Sequence, residues 1–336
     1  MSVMANRVRA GLLSFISALL TSTAVYSAEP LNLVANPLPT LVAEDNEPAR
    51  INVLIAKALS SIDLPATLHI DRPAFSGSGL LTGKYDGEYA FLSLNDKRNG
   101  FLYSDAYLPA NLYLTSRKTP LDDISHFSHI RNGRVAAENR LANTPPLRLV
   151  KAVSWVRNPT VFDSFKQLSE QRAEYLLEDE LLLREFNRLL VEYRERPLYS
   201  SIKPIIQASL HLSIRADHPQ AQKAINAFNT YIANAQHDGS YNNILGLSWI
   251  SKDVDDDGVA DWITSSSVPH PLSSTDALTG AFALDSTMPS QASKYLVDGE
   301  VLPDWAAVQA KLAGAPTTPR KSYLDHEVYK RMMNRW

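Results

Sequence analysis

Short apolar runs separated by stretches of helical periodicity constrain the fold of this chain more than any other feature. Leu31–Val34 and Thr67–Ile70 are predicted strands, and residues 51–59 between them carry apolar side chains at the spacing of a helix with one buried face. Tyr89–Leu94 follows as a third strand, after a short helix that Gly83 ends. Strands that alternate with helices predict an α/β fold with a largely parallel sheet.

The alternation is repeated in a second part of the chain. Residues 134–190 contain further predicted strands and helices, and a helix over 221–232 follows them. We therefore expect two α/β units, with the chain crossing between them near residues 116–120 and 203–209 and forming a hinge there. One continuous doubly wound sheet is the alternative.

Composition excludes several functional classes. The 336 residues include 33 Lys and Arg against 36 Asp and Glu, and this net charge of −3 provides no basic surface for nucleic acid or anionic lipid. With no cysteine, the chain has no disulfide, thiol nucleophile, thiolate metal site or lipid-modified cysteine. The patterns GxGxxG, GxxxxGK[ST], HExxH and GxSxG do not occur, so we expect neither a nucleotide-dependent enzyme nor a catalytic role of these kinds.

The first residues have the order of an export signal. Arg7 and Arg9 precede an apolar run over 10–20, and small residues continue to Ser27. This order is typical of a secretory signal peptide, and the run is too short to span a membrane. We expect a signal peptide over 1–27 and a mature protein that is soluble, periplasmic and not lipidated.

The expected domain layout follows from these elements. Lobe 1 is predicted over 28–118 and 208–245, and lobe 2 over 119–207. Residues 246–336 are rich in Ser, Thr, Asp and Pro and show few apolar periodicities, apart from one short helix that starts at Trp305. We predict a small irregular C-terminal extension there.

Several stretches of the two lobes carry a resemblance to a known family, in the right order and spacing. They are Leu81–Asp86 (LTGKYD), Leu92–Arg98 (LSLNDKR) with Phe101–Tyr107 (FLYSDAY), Arg172–Asp179 (RAEYLLED) and His237–Tyr241 (HDGSY). Together they resemble the periplasmic solute-binding proteins of polar amino-acid ABC importers. The resemblance implies a two-lobed type 2 periplasmic-binding fold in a monomer that closes over a small-molecule ligand and delivers it to an inner-membrane ABC permease.

The resemblance also implies ligand-binding residues. Arg98 would clamp the α-carboxylate of the ligand, because a guanidinium offers two parallel bonds to a carboxylate, and Asp179 would bind the α-ammonium from the other lobe. Ser93 would add a hydroxyl contact, and Thr144 lies where lobe 2 presents a helix N-terminus, with Pro145 at its first position. Arg98 and Asp179 as solvated surface charges are the alternative. The expected ligand is small, zwitterionic or anionic, and amino-acid-like.

The family pattern is not followed throughout. Family members often place an aromatic residue after the first strand, whereas this chain has Asn36–Thr40 (NPLPT) there. The glycine that usually precedes the helix N-terminus of lobe 2 is missing from residues 139–146. These departures indicate an altered pocket, so we do not expect a standard amino acid as the ligand.

An acidic segment in the extension matches nine positions of a calcium loop, D-x-D-x-D-G-x-x-D. The carboxylates that would coordinate the ion repel each other without a cation. Thr264 stands where an EF-hand has a bidentate glutamate, which favours a stand-alone loop with a structural Ca²⁺; an unliganded acidic turn is the alternative. The predicted ligands are Asp253, Asp255, Asp257, the carbonyl of Val259, and Asp261.

Two other functions remain open from the sequence. A sensing protein could report its ligand to a receptor, and a calcium-stabilised interaction module could dock a partner through Trp305 and residues 330–336. Both segments are equally suited to pack back on the lobes. An enzyme on the same fold is a less favoured alternative, since fold does not determine function.

Overall fold

A computed structural model describes residues 30–44, 48–62, 64–94, 96–130 and 132–336. The signal peptide expected over 1–27 lies outside these residues. Within the described ranges, no helix is both long and apolar enough to cross a membrane.

The described residues form three sheets with helices around them. The strands are β1 (Leu31–Ala35), β2 (Ala66–Ile70), β3 (Gly87–Ser93), β4 (Phe101–Tyr103), β5 (Leu108–Pro109), β6 (Leu112–Ser116), β7 (Arg134–Glu138), β8 (Ser154–Asn158), β9 (Tyr175–Asp179), β10 (Tyr199–Ser200), β11 (Ser209–Arg215), β12 (Ile250–Lys252), β13 (Asp261–Thr264), β14 (Phe282–Ala283), β15 (Tyr295–Val297) and β16 (Glu300–Leu302). The α-helices are α1 (Arg50–Ser60), α2 (Pro73–Thr82), α3 (Asn139–Ala142), α4 (Pro145–Arg148), α5 (Val161–Ser169), α6 (Glu180–Glu192), α7 (Ala221–His237), α8 (Ser240–Leu245), α9 (Trp305–Lys311) and α10 (His326–Met333). Phe127–Ile130 and Thr275–Gly280 are 3₁₀-helices.

The first sheet organises lobe 1. Its order is β2-β1-β3-β11-β4, with β5 also paired to β11; β1 is parallel to β2 and β3, and β11 is antiparallel to its neighbours. Helices α1, α7 and α8 contribute their apolar faces to the core on this sheet. The strands and helices predicted for residues 31–94 are confirmed, and Gly83 ends α2 in the left-handed conformation, with φ +74°.

The second sheet is separate from the first. Its order is β10-β6-β9-β7-β8, so the alternative of one continuous sheet is wrong. The chain leaves the first sheet after Pro109 and enters the second at Leu112, ahead of the crossing predicted near 116–120 and of the lobe boundary placed at residue 118. The returning segment reaches Ile206, which forms a bridge with Leu112, so the two crossings lie side by side.

The extension contains a third sheet where irregular structure was expected. Its order is β14-β12-β13-β15-β16, and its strands have only two to four residues. Strands this short show too little alternation to be recognised from sequence. The sheet is nevertheless well anchored, because Ile250, Ile263, Phe282 and Leu296 join the apolar core of lobe 1.

The last residues pack on lobe 2. Tyr329, Met332 and Met333 of α10 are buried in the core formed by α5 and α6, and the Trp336 ring lies 5.3 Å from that of Phe186. At the other end of the extension, the Trp305 ring lies 5.9 Å from that of Trp249. The aromatic residues that a docking role would present to a partner therefore make contacts within this chain.

One buried group of residues, the Glu185 cluster, joins both lobes and the extension. Glu185 on α6 accepts a hydrogen bond of 2.9 Å from Arg320 Nη1 and lies 3.5 Å from Arg50 Nη1 of α1. Both guanidinium groups lie over the ring of Tyr323, at 4.8 Å for Arg50 and 3.9 Å for Arg320. Gly246 makes room for the cluster: its φ is +66°, and a Cβ there would lie 2.6 Å from the Tyr323 hydroxyl.

Candidate functional site

A small cavity, the interlobe cavity, lies where the two lobes meet beside the crossing segments. Its volume is about 20 Å³, which is room for about one water molecule. Arg140 and Asp179 are its charged residues, and both belong to lobe 2. The remaining lining is apolar and consists of Leu38, Leu41, Leu92, Leu108, Pro109, Ala110, Leu112, Leu141, Leu181 and Leu210.

Asp179 is placed at this cavity by the junction of a strand and a helix. It is the last residue of β9 and the N-cap of α6, where its Oδ1 accepts a 3.0 Å hydrogen bond from the backbone N–H of Leu182. The cap satisfies one of the free N–H groups of the first helical turn. It also fixes the carboxylate at the cavity wall with its negative charge available to a ligand.

Arg140 belongs to a compact charged group beside Asp179. Its Nε donates to Glu138 Oε2 at 2.7 Å, and its Nη2 lies 3.9 Å from Glu178 Oε1. Burial acts to lower the pKa of Arg140, but the carboxyl groups of Glu138, Glu178 and Asp179 outweigh it and raise that pKa. Arg140 is therefore a permanent cation at the cavity.

Glu178 differs from its neighbours because it is fully buried. Burial, together with the charge of Asp179, raises the pKa of Glu178 well above its usual value, although Arg140 opposes the shift. One of its oxygens accepts from the backbone N–H of Asp179 at 3.0 Å, and the other has no hydrogen-bond partner among the described residues. A protonated Glu178 leaves Glu138 and Asp179 against Arg140, a net charge of −1 on the lobe 2 wall.

The structure separates Arg98 from Asp179. β4 pairs with β11 so that Phe101 lies opposite Arg215, at the end of the sheet where β3 begins. Residues 96–100 therefore run back along the sheet and carry Arg98 away from the carboxyl end of β3. There, Arg98 Nη1 donates to the buried Glu88 Oε2 at 3.0 Å, and its guanidinium lies 4.9 Å from the Phe91 ring.

Ser93 and Thr144 use their hydroxyl groups locally. Ser93 lies at the end of β3 and donates to the carbonyl of Asp96 at 3.0 Å. Thr144 precedes α4, and Pro145 is the first residue of that helix as predicted, but the Thr144 hydroxyl donates to the carbonyl of Leu141 at 2.7 Å. Of the four residues that the resemblance implies for ligand binding, Asp179 alone lines the interlobe cavity.

Arg140 is the cavity residue that the sequence reading missed. A signal was present, because Arg140 comes two residues after the end of β7, and polar residues at the carboxyl ends of strands often face a ligand site in α/β folds. The departure from the family pattern over 139–146 obscured it.

The acidic segment predicted to bind calcium forms the connection between β12 and β13. Oxygens of Asp253, Asp255 and Asp257 lie within 4.8 Å of one another, which is close enough to hold a metal ion. Asp261 is buried, and its Oδ2 has no hydrogen-bond partner in the described part of the chain. The ammonium group of Lys294 bonds to Asp255 and lies 3.7 Å from Asp257, so it supplies positive charge to the same oxygens.

The fold is similar to solved ligand-binding structures at low sequence identity. No family model and no curated protein matches the sequence. The GluR0 ligand-binding core in complex with L-glutamate matches with a TM-score of 0.53 and 12% identity, over 65% of this chain and 97% of that one. The GluR0 ligand-binding core from Nostoc punctiforme, also in complex with L-glutamate, gives 0.52 and 15% over 64% and 97%.

A third structure is a transporter component. It is the amino acid ABC transporter substrate-binding protein AbpA from Streptococcus pneumoniae bound to L-arginine, with a TM-score of 0.50 and 14% identity over 64% of this chain and 92% of that one. Two separate sheets, two adjacent crossings and these similarities agree with the expectation from sequence. The chain has the two-lobed type 2 periplasmic-binding fold, with an added C-terminal extension that contains its own sheet.

Proposed function

We propose that this protein is a periplasmic solute-binding protein that captures a small amino-acid-like solute between its lobes. The observation that carries the proposal is the interlobe cavity itself, which lies beside the crossings of a two-lobed fold and presents one anion, Asp179, and one cation, Arg140, to its interior. Opposite charges on one wall match the ammonium and carboxylate groups of a zwitterion.

The lining favours a solute with an apolar side chain. Lobe 1 contributes leucines and a proline, while the charges of the interlobe cavity come from lobe 2. The net negative charge of Glu138, Asp179 and Arg140 favours an ammonium group at Asp179. We assign the carboxylate of the solute to Arg140, whose Nε and Nη2 face Glu138 and Glu178 and whose Nη1 is the remaining terminal nitrogen.

Capture requires the lobes to move. A cavity of about 20 Å³ cannot hold an amino acid, so the described conformation is closed, and a solute enters after the lobes separate at residues 110–111 and 201–208. A solute that contacts both lobes holds them further apart than in the described conformation and shifts the equilibrium toward that less tightly closed state. Such a complex is the form we propose for delivery to an inner-membrane ABC permease, after export directed by residues 1–27.

A thermal-shift panel tests the proposal. Leucine, valine and phenylalanine should raise Tm, and a ligand at 100 times its Kd adds about 2.7 kcal/mol of apparent stability. The corresponding amides, polar amino acids and organic acids serve as comparisons. Solution scattering with a bound hit should give a radius of gyration no smaller than that of the described closed conformation, because the solute holds the lobes further apart.

Variants identify the binding residues in the same assay. Asp179→Asn keeps the N-cap of α6 but removes the charge, so it should abolish the shift without unfolding the protein. Arg140→Met and Arg98→Ala distinguish the two candidate carboxylate clamps, because only the one that contacts the solute should weaken binding. Shifts that survive Asp179→Asn would rule out binding at the interlobe cavity.

For the acidic loop we propose a structural Ca²⁺ held by the carboxylates of Asp253, Asp255, Asp257 and Asp261 and the carbonyl of Val259. The cluster of three aspartates and the unpartnered oxygen of Asp261 support it. Ca²⁺ would supply the charge that Lys294 now provides, so Lys294→Met should increase calcium affinity. Calorimetric titration of the wild type and this variant measures the difference; equal or weaker binding by the variant would contradict competition by Lys294.

A further inference from the structure

The C-terminal extension is anchored on both lobes. Its sheet shares the apolar core of lobe 1, while Met332 and Met333 of α10 are buried in the core of lobe 2. Residues 317–325, which we call the strap, connect these two parts of the extension. The chain therefore passes between the lobes a further time after its two crossings, and the function proposed above does not use this connection.

The strap is short and is held at both ends. Before it, the carbonyl of Pro316 accepts a 2.7 Å hydrogen bond from the backbone N–H of His270, beside the third sheet. Within it, the Ser322 hydroxyl donates to the carbonyl of Glu185 at 2.9 Å, and the Ser322 N–H donates to the Glu192 carboxylate at 2.6 Å. Ser322 is thus fixed on α6 of lobe 2. The five residues between Pro316 and Ser322 span at most about 18 Å, which limits how far the lobes can separate while both ends hold.

Arg320 of the strap contacts groups from both lobes. Its Nε donates to the carbonyl of Gly246 at 3.1 Å, where α8 of lobe 1 ends, and its Nη1 donates to Glu185 of lobe 2 at 2.9 Å. Glu185 also lies 3.5 Å from Arg50 of lobe 1. Burial acts to raise the pKa of Glu185, but Arg320 and Arg50 outweigh it and lower that pKa, so Glu185 is a buried anion between two cations. Separating them leaves uncompensated buried charges, so the Glu185 cluster strongly opposes movement of the lobes.

A second contact joins α6 to the sheet of the extension. Arg184 Nη1 donates to the carbonyl of Gly280 at 2.8 Å, and its guanidinium lies 5.3 Å from the ring of Phe282, which belongs to the lobe 1 core. Glu180 accepts from Arg184 Nε at 2.9 Å and holds the side chain in this direction. Because Arg184 is partly exposed, this contact is weaker than the Glu185 cluster and can be removed without leaving a buried charge unpaired.

These contacts extend along α6 away from the crossings. At the start of the helix, the N–H of Glu180 donates to the carbonyl of Asn111 in the first crossing, at 3.2 Å. Glu192, which holds the strap, lies twelve residues later, about 18 Å along the helix axis. Two adjacent crossings alone would act as a hinge, whereas contacts along the length of α6 resist movement of this helix relative to lobe 1. Leu181, a lobe 2 residue, accordingly lies buried in the lobe 1 core.

We propose that the strap holds the lobes closed in the absence of solute, and that it must leave α6 or Gly246 before the lobes separate. The effect on solute capture rests on the proposed function, whereas the restraint on the lobes does not. Because the separated state is a minor population, the apparent affinity for a solute is lower than the intrinsic affinity by the fraction of separated molecules. The strap therefore sets how readily the protein takes up its solute.

A single introduced thiol reports separation of the lobes, because the chain has no cysteine. Leu181 is 2% exposed, so the thiol of Leu181→Cys should react with a dye-carrying maleimide only when α6 leaves lobe 1. Ala224→Cys, on α7 in the core of lobe 1, should react only on global unfolding. Under native conditions, the rate of each reaction follows the population of the corresponding opened state.

Variants of the strap contacts are compared in the Leu181→Cys background. Arg184→Met should react at least about fivefold faster, and Arg320→Met at least about tenfold faster, because each loses charge-assisted hydrogen bonds that hold the closed state. Arg331→Met removes an exposed charge of α10 and should leave the rate unchanged. In the Ala224→Cys background, Arg184→Met should not change the rate. If Arg320→Met does not fold, Arg184→Met decides alone.

Three results would overturn the proposal. The first is an unchanged rate at position 181 in Arg184→Met. The second is an equal acceleration at positions 181 and 224, which would show global unfolding instead of release of the strap. The third is a thiol at position 181 that reacts, without any strap variant, as fast as that of the exposed Ser60→Cys, which would show lobes that open freely.

A binding measurement separates the strap from the proposed function. Any amino acid that raises Tm should bind Arg184→Met at least about fivefold more tightly than it binds the wild type, because more molecules are separated. Equal affinities would overturn control of solute capture by the strap. The expected thiol rates without binding of any amino acid would support the strap and contradict the proposed solute capture.

Discussion

Two cavities of this protein differ in volume and in lining. The interlobe cavity has about 20 Å³ and is closed by leucines, and its charged residues are engaged already: Arg140 donates to Glu138, and Asp179 caps the N-terminus of α6. The extension cavity, between α6 and the extension, has about 160 Å³, and its lining includes Arg188, Trp249 and His270. In this conformation the cavity between the lobes is nearly filled by side chains, while the added extension encloses a larger space.

The Glu185 cluster and its helix connect the two cavities. Glu185 and Arg320 line the extension cavity, and Leu181, one turn before Glu185 on α6, lines both cavities. Movement of α6 during lobe opening would therefore change both spaces at once. Variants in each region show how independent the two regions are.

Glu185→Ala should destabilise the protein most. It leaves Arg50 and Arg320 buried without their carboxylate, and breaking a buried pair costs about 3–5 kcal/mol. This corresponds to a Tm lower by about 4–7 °C for a chain of this size. Glu180→Ala is the matched control on the same helix: its partner Arg184 is partly exposed, so the loss should stay below about 1 kcal/mol.

At the interlobe cavity, Leu141→Ala should lower the free energy of unfolding substantially. At the extension cavity, Leu272→Ala should leave the free energy of unfolding nearly unchanged. Leu141 is 1% exposed and Leu272 is 53% exposed. Truncation of a buried leucine costs about 2–5 kcal/mol, and exposed substitutions stay within about 0.5 kcal/mol. Chemical denaturation measures both values. Equal losses of unfolding free energy would mean that the two leucines are equally well packed, which would contradict the difference between the two cavities.

Glu178→Gln should stabilise the protein at neutral pH. Burial raises the pKa of Glu178 in the folded state, while the unfolded state releases the proton above its usual pKa of 4.5, so wild-type stability falls as pH rises above 4.5. Glutamine has the same shape and cannot ionise, so the variant should lack this loss, which is at most about 1.4 kcal/mol per pH unit. The gain should vanish near pH 4. A variant less stable than wild type at pH 7 would show that Glu178 is ionised and paired.

On the extension side, the titration of His270 should have a small effect on the free energy of unfolding. Its pKa is lowered from 6.5 by burial, so the unfolded state binds a proton below pH 6.5 that the folded state does not. The free energy of unfolding should therefore decrease as pH falls below 6.5, by at most about 1.4 kcal/mol per pH unit for one histidine.

Variants assign this slope to a residue. His270→Gln should reduce the slope of the free energy of unfolding against pH. Part of that slope should remain, because burial also lowers the pKa of His211. His126 is exposed, so His126→Gln should leave the slope unchanged. An unaltered slope in His270→Gln would contradict a neutral, buried His270.

Local patterns predicted the helices and strands of the lobes, because the spacing of apolar residues reports which face an element buries. Helix α1 and strands β1 to β3 were found this way, and so was the second crossing near 203–209. The path of residues 96–100 was not, since it depends on the pairing of β4 with β11, more than a hundred residues later. This path places Arg98 beside Glu88, and a local sequence motif contains no information about the path.

The extension shows the same limit in another form. Its strands have two to four residues, and its stability comes from contacts with the core of lobe 1 and with α6, which are remote in sequence. Trp249 and His270 belong to this part of the chain and line the same cavity as Arg188 only in the folded chain. No spacing rule links these three residues.

The position of Glu185 has a consequence for the order in which the chain folds. Its partners Arg50 and Arg320 are each 135 residues away along the chain, one before it and one after it. Contacts between such distant segments carry a high loop-closure cost and form late. The sheets of lobe 2 and of the extension pair strands that are closer in sequence and can form earlier, whereas the first sheet needs β11, more than a hundred residues after β3. The relative orientation of the lobes is set last, when the segment at Arg320 reaches α6. During synthesis, which proceeds from the amino end, both lobes are complete before the extension supplies Arg320 to the Glu185 cluster that joins them.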